Sequence, residues 1–230
     1  MLKEQRDLED LATLMLSLFP EEFMKLNTDE QRVSVQVYRL LAEGRPVSVK
    51  EITAALGLTE DNVTTILKGW PGVFYDDEER IIGYWGLALP EMTHRFEIDG
   101  RTLYTWCAWD SLFIPELIKK TAHVASACPV TGNKIRLTVT PERVQHVEPA
   151  GAVMSFVRPA ADKIRENVIL NFCHYIYFFS SEEAGSQWVS GNPGTFLLSI
   201  EDAHYLGRKK NEARYKEVIH LIRMAASGHE

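Results

Sequence analysis

The sequence contains little cysteine, and its spacing excludes the common structural uses of that residue. Only Cys107, Cys128 and Cys173 occur among 230 residues. An odd number of widely separated cysteines does not make a disulfide framework, and the paired spacing of a zinc ribbon is absent. We therefore predict three free thiols in a reducing compartment.

Positive charge and long apolar runs are also scarce. The 25 lysines and arginines are outnumbered by 32 acidic residues, giving a formal net charge of -7, which disfavours nucleic acid or an anionic membrane as the main partner. No apolar run reaches the roughly 18 residues of a membrane span, and no basic region with a cleavage site marks a secretory signal. We predict a cytoplasmic protein with no nucleic-acid and no membrane partner.

The composition otherwise fits a globular protein with a sizeable core. The chain is 45% hydrophobic and 25% charged, and its length suits one large domain or two small ones. Apolar side chains recur at helical spacing from Leu8 to Phe19, where Pro20 closes the segment. A second amphipathic helix is predicted to begin at Thr28, where a capping residue precedes acidic ones.

Residues 47–67 predict two helices separated by a turn at Gly57, which is typical of a helix-turn-helix. The following residues 73–85 predict a hairpin like the wing of a winged-helix domain. Such a module binds DNA in some proteins and is a packed scaffold in others. Because Glu60 and Asp61 would place acids at the end of the helix that enters the groove, we favour the scaffold.

After Pro90 the pattern changes to alternating strands, with a hairpin signal at Asp99-Gly100. We predict an α+β fold: a helical winged-helix-like module in residues 1–85, and a catalytic domain in residues 86–230 with a mostly antiparallel sheet and flanking helices. The further elements predicted are strands at 121–127, 134–140, 144–147, 153–157 and 195–200, and helices at 106–120, with Pro115 as a kink or restart, 159–166 and 205–226.

A thiol and a carboxylate stand three residues apart in the segment 106–115, WCAWDSLFIP. On a helix this spacing places Cys107 and Asp110 on one face. The preceding segment predicts a strand, so Cys107 would lie at a strand-to-helix junction, where the positive end of the helix favours a thiolate. We predict a reactive cysteine there.

The other two cysteines give weaker signals. Cys173 lies in the aromatic segment 171–179, which predicts a buried strand or a loop leading into one, so the residue alone suggests core packing. In a strand His174 would face away from Cys173, which indicates a structural or supporting role. Cys128, beside a proline turn, is interpreted as a small core residue.

Three segments together resemble the organomercurial lyases, also called alkylmercury lyases: WCAWDSLFIP at 106–115, CPVTG at 128–132 and NFCH at 171–174. The resemblance covers most of the chain and implies cleavage of a carbon–mercury bond to a hydrocarbon and Hg(II). It implies that Cys107 and Cys173 are the two essential thiols, that Asp110 is the carboxylate between them, and that all three contact the metal.

The same resemblance implies that Cys128 is structural and that the chemistry needs no cofactor. Hg(II) would be bound as the product, and reduced low-molecular-weight thiols would be needed for turnover. The implied partners are the organomercurial substrate and cellular thiols, with a mercuric reductase as a candidate acceptor of Hg(II).

The residue chemistry is consistent with these roles. Mercury is a soft metal, for which thiolates are the best protein ligands, and two thiolates would make the bound carbon more carbanion-like. The carbon then needs a proton. An ordinary Asp has a pKa of about 3.9, which the neighbouring aromatic residues could raise, and we hypothesise that Asp110 accepts a thiol proton and delivers it to carbon.

Two alternatives from other classes stay open at this point. In one, all three cysteines and His174 form a structural or regulatory zinc site. In the other, the protein is a winged-helix metal-sensing regulator, although the acids around the second helix of the helix-turn-helix disfavour DNA binding.

Overall fold

The computed structural model describes residues 2–224, with side chains from residue 7 onward. The helices are α1 (Leu2–Ser17), α2 (Glu21–Met24), α3 (Thr28–Leu41), α4 (Val49–Leu56), α5 (Glu60–Lys68), α6 (Asp110–Ile118), α7 (Ala161–Asn171), α8 (Glu182–Ser190), α9 (Ile200–Arg214) and α10 (Ile219–Met224). The strands are β1 (Val73–Tyr75), β2 (Ile81–Tyr84), β3 (Leu87–Ala88), β4 (His94–Ile98), β5 (Arg101–Thr105), β6 (Ala122–Ala127), β7 (Lys134–Val139), β8 (Val144–Glu148), β9 (Val153–Val157), β10 (Phe178–Phe179) and β11 (Thr195–Ser199).

The helical module forms as its local sequence signals predict. Asn27 accepts the backbone N–H of Glu30 at 3.0 Å, and the Glu30 side chain accepts the N–H of Asn27 at 2.7 Å, so the cap of α3 lies one residue before the predicted start. Between α4 and α5, Gly57 adopts the left-handed conformation with φ of 68°, which glycine reaches without a steric penalty. The predicted helix-turn-helix is therefore present.

The wing hairpin is continuous with the main sheet. An eight-stranded antiparallel sheet has the order β1-β2-β3-β5-β4-β6-β7-β8, and Tyr84 of β2 pairs with Leu87 of β3. The two predicted domains thus share one sheet, and the boundary predicted near residue 85 lies between paired strands. A second antiparallel sheet has the order β10-β9-β11. The predicted α+β fold is confirmed.

Helix α6 is the centre of the core. Every residue from Asp110 to Ile118 is buried, because α3 and α9, which are both distant from α6 in sequence, pack against it. Pro115 lies inside α6 without ending it. No helix in the described part of the chain combines the length and apolar character needed to cross a membrane.

Three predicted helices need correction, and the Cys173 segment takes the second of its two predicted forms, a loop leading into a strand. Cys173 opens a 3₁₀ turn, Cys173–Tyr175, and Phe178–Phe179 pair as the strand. The helix predicted at 106–120 begins only at Asp110 and ends at Ile118, so Cys107 precedes the helix. The helix predicted at 159–166 extends to Asn171, with a break in helical geometry at Asn167. The last predicted helix begins earlier, at Ile200, and is interrupted after Arg214; its predicted end at residue 226 lies outside the described residues.

A buried carboxylate joins α6 to the carboxyl-terminal helices. Glu116 is 3% exposed, and it accepts hydrogen bonds from Asn211 Nδ2 at 2.8 Å and Arg223 Nε at 2.9 Å, while Arg208 Nε lies 3.4 Å away. Removal of one member of a buried charged network leaves the others without compensation.

We expect Glu116→Ala to lower the free energy of unfolding by about 3 kcal/mol, measured by urea denaturation. The matched control is Glu97→Ala, which removes a surface carboxylate paired with Arg95 at 2.9 Å and should cost less than about 1 kcal/mol. Equal losses in the two variants would contradict the structural role of Glu116.

Candidate active site

The predicted Cys107 segment is a loop that joins β5 to α6. It follows β5 and precedes α6, and its ends are fixed by backbone hydrogen bonds from Trp106 N to Gly86 O at 2.9 Å and from Ala108 N to Ile176 O at 3.2 Å. The Thr105 hydroxyl also donates to Cys107 O at 3.0 Å. The loop is thus held on both sides before the helix starts.

Asp110 occupies the first position of α6 and turns its carboxylate back over this loop. Its Oδ2 accepts the backbone N–H of Cys107 at 2.9 Å, which satisfies a donor that precedes the helix. Gly86 lies directly against the carboxylate. A Cβ at Gly86 would stand 2.5 Å from Asp110 Cγ and Oδ1, and Gly86 has a φ of +103°.

Cys173 reaches the same place from a different part of the chain. It follows α7 and opens a turn in which Ile176 N donates to Cys173 O at 3.1 Å. The hydroxyl of Ser155 in β9 donates to Tyr175 O at 2.8 Å, which anchors this turn to the second sheet. Because Ile176 O also accepts Ala108 N, one backbone hydrogen bond links the segments that carry the two cysteines.

The structure therefore brings together Cys107, Asp110 and Cys173. Their ligand atoms, two Sγ and a carboxylate oxygen, all lie within 4.8 Å of one another, and all three residues are buried. This donor set, two soft thiols and one carboxylate, suits a soft metal with a strong preference for sulfur.

Burial dominates the protonation of the site. It raises the pKa of Asp110 to about 6, against the opposing effects of hydrogen bonds from Cys107 and the charge of Lys210. Burial also raises the pKa of Cys107 well above its usual range, with further contributions from its hydrogen bond to Cys173 and from Asp110. For Cys173 the hydrogen bond with Cys107 lowers the pKa, but burial and Asp110 outweigh it, and the net shift is upward.

The sequence predicted that the positive end of the helix would favour a thiolate at Cys107. This prediction is wrong, because burial raises the pKa of Cys107 by more than the helix end lowers it. Cys128 shows the opposite behaviour. Burial raises its pKa, but hydrogen bonds from Thr131 and from the backbone of Ser180, Thr131 and Val130 outweigh that effect and lower the pKa to about 7. Among the described residues, Cys128 is not part of the thiol–carboxylate group.

The predicted zinc ligands are not assembled. The cluster of potential ligands found within the described chain contains neither Cys128 nor His174. The His174 side chain is exposed and lies beside the rings of Tyr175 and Tyr177. The prediction that His174 faces away from Cys173 assumed that both lie on a strand, whereas both lie in the 3₁₀ turn.

A small aromatic cavity of about 30 Å³ adjoins Asp110 and Cys173. Trp109 both packs in the core and forms part of the cavity wall: its Nε1 donates to Ala203 O at 2.9 Å, and its ring lines the cavity. The remaining lining residues are Phe19, Phe23, Tyr38, Trp85, Gly86, Trp106, Phe113, Ile164, Val168, Phe172 and Lys210.

Sequence reasoning missed Gly86 and Lys210 at this site. Lys210 is 2% exposed, with Nζ 3.4 Å from the centroid of the Phe113 ring and 3.2 Å from Asn211 Oδ1. The sequence gives no signal that Lys210 is buried, because its helix is rich in charged residues, which favours exposure. Gly86 gave no signal, because its contact with Asp110 depends on the sheet.

Comparisons with known proteins agree on one family. A family model described as alkylmercury lyase matches residues 87–211, and one described as the helix-turn-helix domain of alkylmercury lyase matches residues 27–85. An alkylmercury lyase of Staphylococcus epidermidis is 45% identical over 179 residues, covering 78% of this chain and 81% of that protein. One of Pseudomonas putida is 44% identical over 188 residues, covering 82% of this chain and 84% of that protein.

A solved structure supports the fold independently. The crystal structure of the mercury-bound form of MerB2 has a TM-score of 0.66 to this chain, covering 90% of this chain and 98% of that one, at 21% identity. At this level of identity the likeness concerns the fold.

We expect Gly86→Ala to lower the free energy of unfolding by more than Gly100→Ala does. Both glycines have positive φ, 103° and 73°, but only at Gly86 would the new Cβ meet a side chain, that of Asp110. Positive φ alone costs about 1–2 kcal/mol, and the clash at Gly86 adds to it. Urea denaturation of both variants measures the difference. Equal losses in the free energy of unfolding would show that the Asp110 side chain moves aside without destabilising the protein.

Proposed function

Because the chain belongs to the alkylmercury lyase family, we propose that it cleaves the carbon–mercury bond of organomercurials by protonolysis, giving a hydrocarbon and Hg(II). The family and the enzyme class predicted from the sequence are confirmed by the comparisons. The observation that carries the proposed mechanism is the meeting of Cys107, Asp110 and Cys173 within 4.8 Å in a buried site.

The first step is capture of the organomercurial by Cys173. Cys173 lines the aromatic cavity, whereas Cys107 is fully buried and does not line it. The hydrogen bond between the two thiols also favours ionisation of Cys173. The Cys173 sulfur bonds to mercury, and its proton leaves with the displaced ligand. The aromatic lining of the cavity receives the organic group and excludes water.

The second step moves a proton within the site. Asp110, with a pKa of about 6, is mostly ionised at neutral pH, so it can accept the proton of Cys107 as that sulfur bonds to mercury. The metal then carries the organic group and two thiolates, which increase the electron density on carbon. Asp110 has become the acid.

In the third step the Asp110 proton goes to carbon and the electron pair of the carbon–mercury bond goes with it to form the new carbon–hydrogen bond. The hydrocarbon leaves, and Hg(II) stays on the two thiolates beside the ionised carboxylate. Two incoming low-molecular-weight thiols would then displace the cysteines, return a proton to each, and carry Hg(II) to an acceptor such as a mercuric reductase.

The direct test of this function is incubation with phenylmercury and excess thiol, with detection of benzene. We expect Cys107→Ala and Cys173→Ala each to abolish turnover, because one thiolate binds the organomercurial without activating its carbon. Cys128→Ser is the matched control, since Cys128 lies outside the cluster, and it should retain turnover where it folds. Near-normal benzene release by either alanine variant, with an intact circular dichroism spectrum, would contradict the two-thiol mechanism.

Asp110→Asn should retain both thiols and bind organomercurial, but release hydrocarbon about 10²- to 10⁴-fold more slowly in a single turnover. The wild-type rate should fall as the pH drops through about 6, because a protonated Asp110 cannot accept the Cys107 proton.

This fall in rate at low pH should be absent from the residual activity of the Asp110→Asn variant, because the variant has no carboxylate at position 110 to titrate. Rapid-quench measurement between pH 5 and 8 covers the required range, taking pH 8 as the reference for full ionisation of Asp110. If Asp110→Asn cleaved its substrate at the wild-type rate, the proton that reaches carbon would come from a thiol or from water and not from Asp110.

A further inference from the structure

Arg214, at the end of α9, is a buried cation without a matching charge. It is 1% exposed, its Nε donates to the hydroxyl of Tyr215 at 3.3 Å, and its Nη1 has no hydrogen-bond partner among the described residues. Arg223 also has one buried nitrogen without a partner in the described part of the chain, Nη2, but its charge is paired with both Glu116 and Glu212. A buried charge normally needs an opposite charge or full hydrogen bonding.

The surroundings of the Arg214 guanidinium are aromatic. Its Cζ lies 4.0 Å from the centroid of the Phe23 ring and 5.7 Å from that of Trp85. These contacts stabilise a cation, but they leave Nη1 unsatisfied. The Nε1 of Trp85 is a second buried donor without a partner among the described residues.

Both residues line a cavity of about 80 Å³ next to the thiol cavity. The two cavities share Phe23, Trp85 and Ile164 as a common wall. The one carboxylate among the residues lining the Arg214 cavity, Glu22, is paired with Arg165, whose Nη2 lies 3.2 Å from Glu22 Oε2. Arg214 therefore has no carboxylate partner among the residues that line its cavity.

The geometry points to a carboxylate-binding subsite in the Arg214 cavity, which holds an acidic group carried by a reactant bound at the thiols. This inference rests on the proposed function and specifies its substrate class. The planar guanidinium of arginine matches a carboxylate better than a lysine ammonium does. The aromatic wall between the cavities suits the ring of an arylmercury compound that has mercury at one end and a carboxylate at the other.

The carboxylate can come from two sources. It can belong to the organic group of the substrate, or to a carboxylated thiol that delivers the organomercurial or removes Hg(II). Both would place an anion against Arg214 while sulfur or mercury occupies the thiol site. The test must therefore vary the substrate and the thiol separately.

The experiment measures kcat/KM for 4-carboxyphenylmercury and for phenylmercury, each with mercaptoacetate or with neutral 2-mercaptoethanol as the excess thiol. The variants are Arg214→Met, which keeps an apolar side chain of similar length, and Arg214→Lys, which keeps the charge but loses the planar fork. The matched control is Lys209→Met, which removes a cation from the same helix whose partners are Glu9 and Glu212.

We expect the ratio of kcat/KM for the carboxylated and neutral substrates to fall about 10-fold or more in Arg214→Met. The fall should be smaller in Arg214→Lys, and the ratio should be unchanged in Lys209→Met. If Arg214→Met instead lowers kcat/KM with mercaptoacetate relative to 2-mercaptoethanol, the subsite is supported and the carboxylate it binds belongs to the thiol. Ratios that are unchanged for both substrate and thiol in a folded Arg214→Met would overturn the inference.

Failure of the proposed function would be seen separately, as a lack of phenylmercury cleavage by the wild-type protein with 2-mercaptoethanol. That reaction involves no carboxylate ligand, so it does not depend on the subsite. If Arg214→Met does not fold, benzoate provides the second measurement. It should inhibit wild-type phenylmercury cleavage competitively, with a several-fold weaker effect on Arg214→Lys. Equal inhibition of the two proteins, or none, would also overturn the subsite.

Discussion

The arrangement of the site depends on the cost of placing an ionisable carboxylate at the start of a fully buried helix. Asp110 loses contact with water because α6 is covered on every side, and its carboxylate must find donors within the protein. It finds one in the backbone N–H of Cys107, at 2.9 Å. This hydrogen bond stabilises the carboxylate and also fixes the loop that carries the first thiol, so the acid and the thiol share one local structure.

The relative size of two electrostatic effects decides which thiols ionise. A helix end contributes about 0.3–1 kcal/mol, whereas complete burial can shift a pKa by as much as 3–5 units, or several kcal/mol. Cys107 has both influences and follows burial, while Cys128, held by several hydrogen bonds in its turn, has a pKa of about 7. The thiol beside the helix is thus kept protonated, as the proposed proton transfer to Asp110 requires.

Local patterns in the sequence predicted the helix-turn-helix, the hairpins and the spacing of Cys107 and Asp110, because each depends on residues close in the chain. The approach of Cys173 came from the family resemblance, since its aromatic segment predicts a strand and its place depends on the Ser155 and Ala108 contacts. Gly86 and Arg214 could not be predicted in this way. Their roles arise from packing between elements that are distant in sequence.

The amino-terminal helix-turn-helix module is of a kind that binds DNA in some proteins, but here it contributes residues to the wall of the thiol cavity. The exposed start of α5 carries Glu60 and Asp61, which would repel phosphate, whereas other residues of the module face the site. Phe19, Phe23 and Tyr38 line the thiol cavity, and the Tyr38 hydroxyl donates to Trp85 O at 2.7 Å. Because these residues supply part of the apolar wall, the module helps to shield the cavity beside the two thiols from water.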